Sequence, residues 1–381
     1  MNILFRDITG ADRGFNVGAD VLTQTADGVN LNTLWSEFND ALSLSNDARN
    51  LIASLFTYDT TAPSDTLALD GTGWEFEKAS EFGQPLAGRA TPEGYLVGFP
   101  LEWWDSSTRF TRKFLRDATA EQVAAQHISA IAADNRLLFR MTLSALTAPS
   151  TAGLREVNEN GVQIYSLYSG QPDDNPPTFA GRSVGANHSH YLVSGAATVD
   201  GGDLRDLIET IQHHGHGLPA QNERIVIMVN SAQGETIRGL RRDPLNPLIN
   251  PFDFIPSVTA PAYLTDKLIV GDRAPASFNG LPIIGSYGDA WIFESPYVPS
   301  GYLLAVGTAG ANSPRNPLAF RQHPRPESQG LRLIPGVQAS ANYPLIGSIY
   351  ERGLGVGVRN RGAAAVMQIK ASGGFVNPIW P

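Results

Sequence analysis

The sequence predicts an α+β protein, and three observations indicate that class. A single helical period continues through residues 119–147, with strand-like segments before and after it. Glycine alternates with apolar residues over 353–358, which is typical of a strand with one bare face. The 38 glycines and 26 prolines among 381 residues make up about 17% of the chain, against about 12% in ordinary proteins. This excess favours strands, turns and long connections over a helical bundle.

Composition and charge exclude several classes of protein. Cysteine is absent, so neither disulfides nor thiolate metal sites can form. No apolar run reaches the roughly 18 to 20 residues that span a bilayer, and the first residues lack the basic start and apolar stretch of a signal peptide. We therefore expect a soluble protein made in a cytoplasm, with no membrane partner. The formal net charge of −9 argues against a nucleic-acid-binding face, which needs clustered basic residues.

The first 70 residues read as an arm followed by short elements. Residues 1–30 carry polar and glycine positions without a sustained period, which predicts an extended arm. From Leu31 to Leu42, apolar residues recur at the i, i+3, i+4, i+7 spacing of an amphipathic helix. A second short helix is predicted over 47–56. The segment 57–70 is rich in turn residues and is predicted to be a loop.

Two strand-like runs, 74–82 and 95–114, are separated by a segment that carries glycine and proline, and together they predict a long hairpin. An isolated two-stranded hairpin is marginally stable in water. Its aromatic residues would need a cover, either a neighbouring subunit or the hairpin's own domain. The hairpin residues that we expect to contact a neighbouring subunit are Trp74, Phe76, Trp103 and Trp104.

The clearest helix prediction begins at Thr119. Thr119 and Gln122 match a capping box, in which the threonine side chain caps the helix and the glutamine reaches back. Apolar residues keep the helical phase to Thr147, and Pro149 ends the helix. At 1.5 Å per residue, about 28 residues span about 42 Å. A helix of that length between strands is a spine rather than a crossover within a wound sheet.

A compact α/β unit is predicted between about residue 184 and residue 316. Its signals are a strand at 191–194, a helix from about 203 with one apolar face, and a buried strand at 224–229. Further strands in the chain are predicted at 161–168, 282–284, 290–294, 303–306, 348–358 and 363–369.

The histidines provide the best argument for an enzyme. His188 and His190 would share one face of a strand, and His213, His214 and His216 crowd the end of the helix from 203. Imidazole is a common ligand of zinc and iron. However, a histidine at a helix C-terminus also interacts favourably with the helix dipole, and neither H-x-x-x-H nor H-x-x-E-H is present. We therefore assign no metal site from the sequence.

A phosphate-binding signature is missing, because the sequence has no G-x-x-x-x-G-K-[ST]. The Gly353 and Gly355 pair lacks the third glycine and the following helix of a dinucleotide fingerprint. Asp173 and Asp174 lie in a proline-rich loop and are predicted to be solvated. The sequence thus predicts a protein that is not an enzyme and has no cofactor.

The order of elements (arm, hairpin, spine helix, compact α/β unit, terminal strands) resembles that of the Hong Kong 97-type major capsid proteins of tailed bacteriophages. Each stretch is a weak match alone, and their common order carries the resemblance. The stretches similar to that family are residues 113–119, 188–208, 228–240, 294–305 and 353–369.

The resemblance implies a subunit of an icosahedral shell that self-assembles into hexamers and pentamers around double-stranded DNA without reading its sequence. It implies a scaffolding protein, a portal and a decoration protein as candidate partners, and a place in the virion after assembly in the host cytoplasm. The implied domains are an arm with short helices (1–70), an E-loop hairpin (71–116), a P-domain (117–200 and 322–358) and an A-domain (201–321 and 359–381). Further expected assembly contacts are Gly353, Gly355, Arg359 and Arg361.

Two alternatives stay open at this point. An encapsulin-like nanocompartment shell shares the fold, and a metal-dependent enzyme that uses the histidine clusters belongs to another class. Some relatives join subunits by a lysine–asparagine bond. Lys78 and Asn342 have suitable chemistry, but no motif here matches a cross-link site, so that chemistry is not carried over.

Overall fold

The segment with the longest helical period forms the longest helix among the described residues. A computed structural model describes residues 22–47, 51–68, 78–79, 81, 83, 94–108, 110–173, 175–180, 184–185, 187–246, 248–258, 273–336 and 344–380. Within them, Ala120–Thr147 is an α-helix of 28 residues. The Gln122 N–H donates to Thr119 Oγ1 at 3.4 Å, and the Thr119 N–H donates to Gln122 Oε1 at 3.1 Å. The predicted spine helix and its capping box are therefore confirmed.

The other helices also begin at recognisable signals. Asp200 and Asp203 form a reciprocal capping box at the start of the helix predicted from residue 203. None of the described helices combines the length and the hydropathy that crossing a membrane requires. The α-helices of the described residues are α1 (Leu31–Asp47), α2 (Leu51–Phe56), α3 (Arg112–Asp117), α4 (Ala120–Thr147), α5 (Gly201–Gln212) and α6 (Ser231–Arg238).

Strands outnumber helices in the described part of the chain, as the glycine and proline content predicts. The strands are β1 (Thr57–Thr60), β2 (Ser64–Ala68), β3 (Gly94–Gly98), β4 (Glu102–Ser107), β5 (Tyr191–Val193), β6 (Arg224–Val229), β7 (Phe254–Pro256), β8 (Ser277–Phe278), β9 (Leu281–Pro282), β10 (Gly285–Tyr287), β11 (Ala290–Glu294), β12 (Tyr302–Thr308), β13 (Leu318–Arg321), β14 (Leu331–Ile334), β15 (Ile349–Val358) and β16 (Ala364–Gln368). The predicted α+β class is confirmed.

The chain divides into two compact units. Unit 1 takes its described residues from 1–48, 103–134 and 330–352, and unit 2 takes the rest. Helix α4 and strand β15 each contribute residues to both units. The assignment of the chain to arm, E-loop, P-domain and A-domain stays a prediction.

Unit 1 is built around the apolar face of α1. Leu31, Leu34, Phe38 and Leu42 are buried on that face, which confirms the predicted amphipathic pattern. They share a core with residues of α3, α4, β14 and the first part of β15. Strand β14 pairs antiparallel with the first part of β15, with Leu331 opposite Arg352.

Unit 2 contains a seven-stranded mixed sheet in the order β5-β16-β12-β6-β11-β10-β7. Strand β6 is buried from Ile225 onward and pairs parallel with β11 and antiparallel with β12. Helix α5 contributes Leu204, Leu207 and Ile211 to the core of this sheet. A continuous apolar run such as β6 is typical of a strand covered on both faces.

The rest of unit 2 includes a smaller set of strands near β15. Strand β1 pairs parallel with β13, and β13 pairs antiparallel with the last part of β15, so that Arg321 lies opposite Gly355. Strands β2 and β3 form an antiparallel ribbon in which Ser64 lies opposite Gly98. Strand β3 belongs to the predicted hairpin, but its described partner β2 lies before the hairpin, and the pairing of 74–82 with 95–114 stays a prediction.

Several strand predictions are wrong in their bounds. The predicted loop 57–70 contains β1 and β2, and the predicted strand 95–114 is divided into β3, β4 and the start of α3. Pro100 has no N–H to continue a ladder between β3 and β4. Thr111 then accepts a hydrogen bond from the Phe114 N–H and begins α3. The predicted strand 74–82 lies largely outside the described residues.

The predicted strand 161–168 is also wrong, since these residues form only an isolated bridge between Val157 and Gln163. Asn158 explains this result, because its Oδ1 accepts from the N–H groups of Asn160 and Val162 at 3.0 Å. Gly161 adopts a φ of 73°, which is left-handed backbone rather than strand. Side chains of this kind compete with sheet ladders for the backbone donors.

Candidate functional site

The bare face of β15 lies against the chain's own backbone. A Cβ placed on Gly355 would lie 1.8 Å from the carbonyl oxygen of Pro100, and one on Gly357 would lie 2.8 Å from Phe99 Cδ1. Both distances are well below van der Waals contact. Glycine alternation therefore permits a close approach within unit 2, as the pattern predicts. Contact of Gly353 and Gly355 with a neighbouring subunit stays a prediction.

The turn after β15 is held by side chains. The N–H groups of Arg359 and Asn360 both donate to the carbonyl oxygen of Pro317, at 2.9 and 3.1 Å. Arg359 Nε donates to Asp65 Oδ2 at 2.5 Å. Burial acts to raise the pKa of Asp65, but the hydrogen bonds from Arg359 and from the Thr66 N–H, together with the charge of Arg359, outweigh it and lower that pKa. About a third of the Arg359 side chain is exposed, so its predicted role between subunits stays open to test.

Arg361 is buried in an aromatic cluster. Its Nε and Nη1 donate to the Ser166 carbonyl and the Tyr95 hydroxyl, both at 2.7 Å. Its guanidinium carbon lies 4.5 Å from the ring centre of Tyr168 and 4.9 Å from that of Tyr165. Only 1% of Arg361 is exposed. These internal contacts join the turn to the segment 165–168, and an additional contact with a neighbouring subunit stays a prediction.

The two tryptophans of β4 are predicted contact residues that differ in exposure. Trp103 is 50% exposed, and Trp104 is half-buried. The remaining four residues of β4 are exposed as well. Trp103 is therefore a large exposed indole among polar side chains. Trp74 and Phe76 lie outside the described residues. The geometry of Trp103 fits a side chain that a partner covers.

Lys78 and Asp173 of the proline-rich loop both lie at the surface of the protein. Lys78 is exposed, while Asn342 lies outside the described residues. Asp173 is half exposed, as predicted, but it also forms an ion pair with the buried Arg155. Hydrogen bonding to Arg155 lowers the pKa of Asp173. Asp174 lies outside the described residues.

The structure brings together three of the five histidines that the sequence singles out. The ring centres of His188, His190 and His214 are separated by 4.9 to 5.0 Å. His190 precedes β5, and His214 follows α5 in a turn closed by Gly215. His213 and His216 do not belong to this group. The sequence placed these histidines in two separate clusters and missed that the fold joins members of both.

Sequence reasoning also missed two buried arginines. Arg321 is buried, donates to the Phe99 carbonyl at 2.7 Å and pairs with Glu159. In unit 1, Arg352 Nη1 donates to Asp134 Oδ2 at 2.6 Å, and both side chains are 6% exposed. Arg352 directly precedes the glycine-alternating residues 353–358 in the sequence, and that position was the available signal.

Comparison with solved structures connects this fold to phages. The chain is similar to a chain of Mycobacterium phage Patience, with 36% identity, a TM-score of 0.71 and coverage of 97% of both chains. The chain belongs to the Hong Kong 97-type major capsid proteins. This capsid protein is a shell subunit of a phage particle.

Other matches to the capsid protein are weaker. The capsid of an empty GTA particle matches at 13% identity and a TM-score of 0.46, over 84% of this chain and 91% of that one. The mature capsid of bacteriophage PhiM1 matches at 10% identity and a TM-score of 0.44, over 85% and 88%. No protein-family model and no curated protein sequence matches the chain.

Proposed function

We propose that this capsid protein forms the hexamers and pentamers of an icosahedral head that encloses double-stranded DNA. The observation that carries the proposal is the 36% identity to a Mycobacterium phage chain over 97% of both chains. Over that length the two proteins share a fold, and one repeated subunit can build a closed shell through symmetric contacts. The role is structural, and membership in the capsid family supports a protein without catalytic activity.

The assembly contacts that we propose lie on the hairpin and around β15. Trp103 is the described candidate with the most exposed apolar surface, and an indole half covered by its own chain is a typical anchor for a partner. Arg359 keeps part of its guanidinium exposed beside Asp65. We include Trp74, Phe76 and the E-loop assignment of 71–116 on the resemblance alone.

The proposed partners follow from the role of the shell. A scaffolding protein and a portal would act during assembly in the host cytoplasm, and a decoration protein is a further candidate. The packaged DNA is held without sequence-specific contacts. The net charge of −9 supports this last point, because an acidic container does not retain DNA by neutralising its phosphates.

Electron microscopy of the expressed protein tests the proposal. We expect closed shells or capsomers from the chain, alone or co-expressed with its scaffolding protein, and DNA-filled heads in infected cells. Small particles that contain protein cargo instead of DNA would favour the encapsulin-like alternative. A protein that stays monomeric with all its partners present would overturn the capsid proposal.

A further inference from the structure

The three clustered histidines of unit 2 have the arrangement of a metal-binding site. Each of His188, His190 and His214 offers a ring nitrogen, and these atoms lie within 4.8 Å of one another. They come from two segments that are far apart in the sequence, one before β5 and one after α5. Gly362 lies beside the third, because a Cβ there would be 2.6 Å from His214 Cβ. A larger residue at position 362 would displace His214 from the group.

The tautomer of His190 is fixed by the backbone. Its Nδ1–H donates to the Ala364 carbonyl oxygen at 2.6 Å, which leaves the lone pair on Nε2. His190 is fully buried, and its Nε2 has no hydrogen-bond partner among the residues that the structure describes. A backbone carbonyl that receives one ring N–H and orients the other nitrogen is the usual support for a metal-bound histidine.

The neighbouring rings leave further nitrogens unsatisfied. Within the described part of the chain, His188 Nε2 and both ring nitrogens of His214 are buried without a hydrogen-bond partner. A buried polar group without a hydrogen bond costs free energy. Several such atoms in one small cluster therefore indicate that something else satisfies them.

The protonation state of the cluster also suits a metal. Burial lowers the pKa of His214 to about 3 and lowers the pKa values of His188 and His190 as well. All three imidazoles are therefore neutral near pH 7, and the neutral form is the one that coordinates metals.

We propose that His188, His190 and His214 bind one divalent transition-metal ion, and that zinc fits this donor set best. For equal separations of 4.8 Å, the central point lies about 2.8 Å from each nitrogen, whereas zinc–nitrogen bonds are about 2.0–2.1 Å. Side-chain rotations that move each nitrogen by less than about 1 Å close the site. Water completes the tetrahedron, and the ion cross-links the segment before β5 to the end of α5.

One nearby charge limits the affinity of this site. The positive charge of Arg361 acts on His190 and disfavours a dication there. We therefore expect an ion that a strong chelator removes. The site goes beyond the capsid role and does not depend on it, because metal binding is measured on the protein whether or not shells form.

The test uses the untagged full-length chain, since a histidine tag would itself bind metal. The protein is stripped with a chelator, dialysed against zinc or cobalt, and analysed by elemental mass spectrometry, and the cobalt form is also analysed by visible absorption. The variants are His188→Gln and His214→Gln, which are half-buried positions. His213→Gln is the matched control, because this half-buried histidine is adjacent to His214 but outside the group.

We expect one zinc per subunit in the wild type and the His213→Gln control, and the absorption bands of tetrahedral cobalt in both. The affinity of the two ligand variants should fall by at least about tenfold. Zinc well below one ion per subunit in the wild type would overturn the proposal. So would equal binding by all variants. If a ligand variant fails to fold, as circular dichroism would show, the stoichiometry and cobalt spectrum of the wild type decide alone.

Discussion

Gly355→Ala is the most direct test of the packing around β15. The added methyl would lie 1.8 Å from the Pro100 carbonyl oxygen, 2.5 Å from its carbonyl carbon and 3.2 Å from the Leu101 nitrogen. Ordinary contacts begin near 3.4 Å, so backbone must move by more than an ångström. The strand cannot yield easily, because Gly355 lies opposite Arg321 in the β13 ladder.

The expected cost is about 3 kcal/mol, at the upper end of the usual range for overpacking. Where the native backbone tolerates it, alanine in place of glycine stabilises a protein by about 0.4–1 kcal/mol, because it reduces the conformational entropy of the unfolded chain. A loss of stability in Gly355→Ala would therefore by itself indicate the close contact. Against a total stability of about 5–15 kcal/mol, the loss should lower the yield of shells. The bulkier Gly355→Val should impair assembly further.

The assay is denaturant unfolding of unassembled subunits, together with particle counts by electron microscopy. Gly374→Ala is the matched control, since a Cβ there meets nothing within 4 Å, and its stability should stay within about 0.5 kcal/mol of the wild type. If Gly355→Ala unfolds at the same denaturant concentration as this control, the reasoning about the close approach is wrong.

Three further predictions concern other residues. Arg361→Lys should destabilise unit 2 by about 2–4 kcal/mol, because lysine cannot reproduce the planar contacts to Ser166 and the tyrosines. Denaturant unfolding measures this loss, and an unchanged free energy of unfolding would show that those contacts are unimportant. Burial lowers the pKa of His127 to about 4, so the unfolded chain binds its proton near pH 6.5 while the folded chain does not. The contribution of neutral His127 to the free energy of unfolding is therefore complete above about pH 6.5 and falls by about 1 kcal/mol by pH 5.5. The variant His127→Gln should lack this decrease in stability with falling pH. The same pH dependence in the variant and the wild type would contradict the assignment. Trp103→Ser should reduce shell yield by more than its effect on the unfolding of free subunits explains, because half of the indole is exposed, and normal yield would refute its role as a contact.

The sequence was sufficient for elements with a strong local signal. The spine helix was predicted to within one residue, because its capping box and its apolar period agree. The buried strand β6 and the capped helix α5 were equally clear. In contrast, β13 and β14 were missed because each has only four residues and takes its stability from pairing with β15 rather than from local propensity.

The candidate site was less predictable, because it depends on contacts between distant segments. The glycines of β15 indicated a close approach, but only the fold shows that the backbone at Pro100 makes it. The three tyrosine rings around Arg361 could not be predicted either, and its expected contact with a neighbouring subunit stays a prediction. The group of His188, His190 and His214 joins segments more than twenty residues apart in sequence, which no spacing pattern reports.

The position of β15 and β16 in the sheets has a consequence for the timing of biosynthesis. Strand β16 lies between β5 and β12, and β15 borders β13 and β14, yet both are translated after all of these neighbours. In a nascent chain, the positions of β15 and β16 in the sheets therefore stay unfilled until residue 368 has left the ribosome. We therefore expect that subunits still being translated do not join a growing shell. Protease resistance that appears in ribosome-bound chains only beyond that residue would reveal this checkpoint.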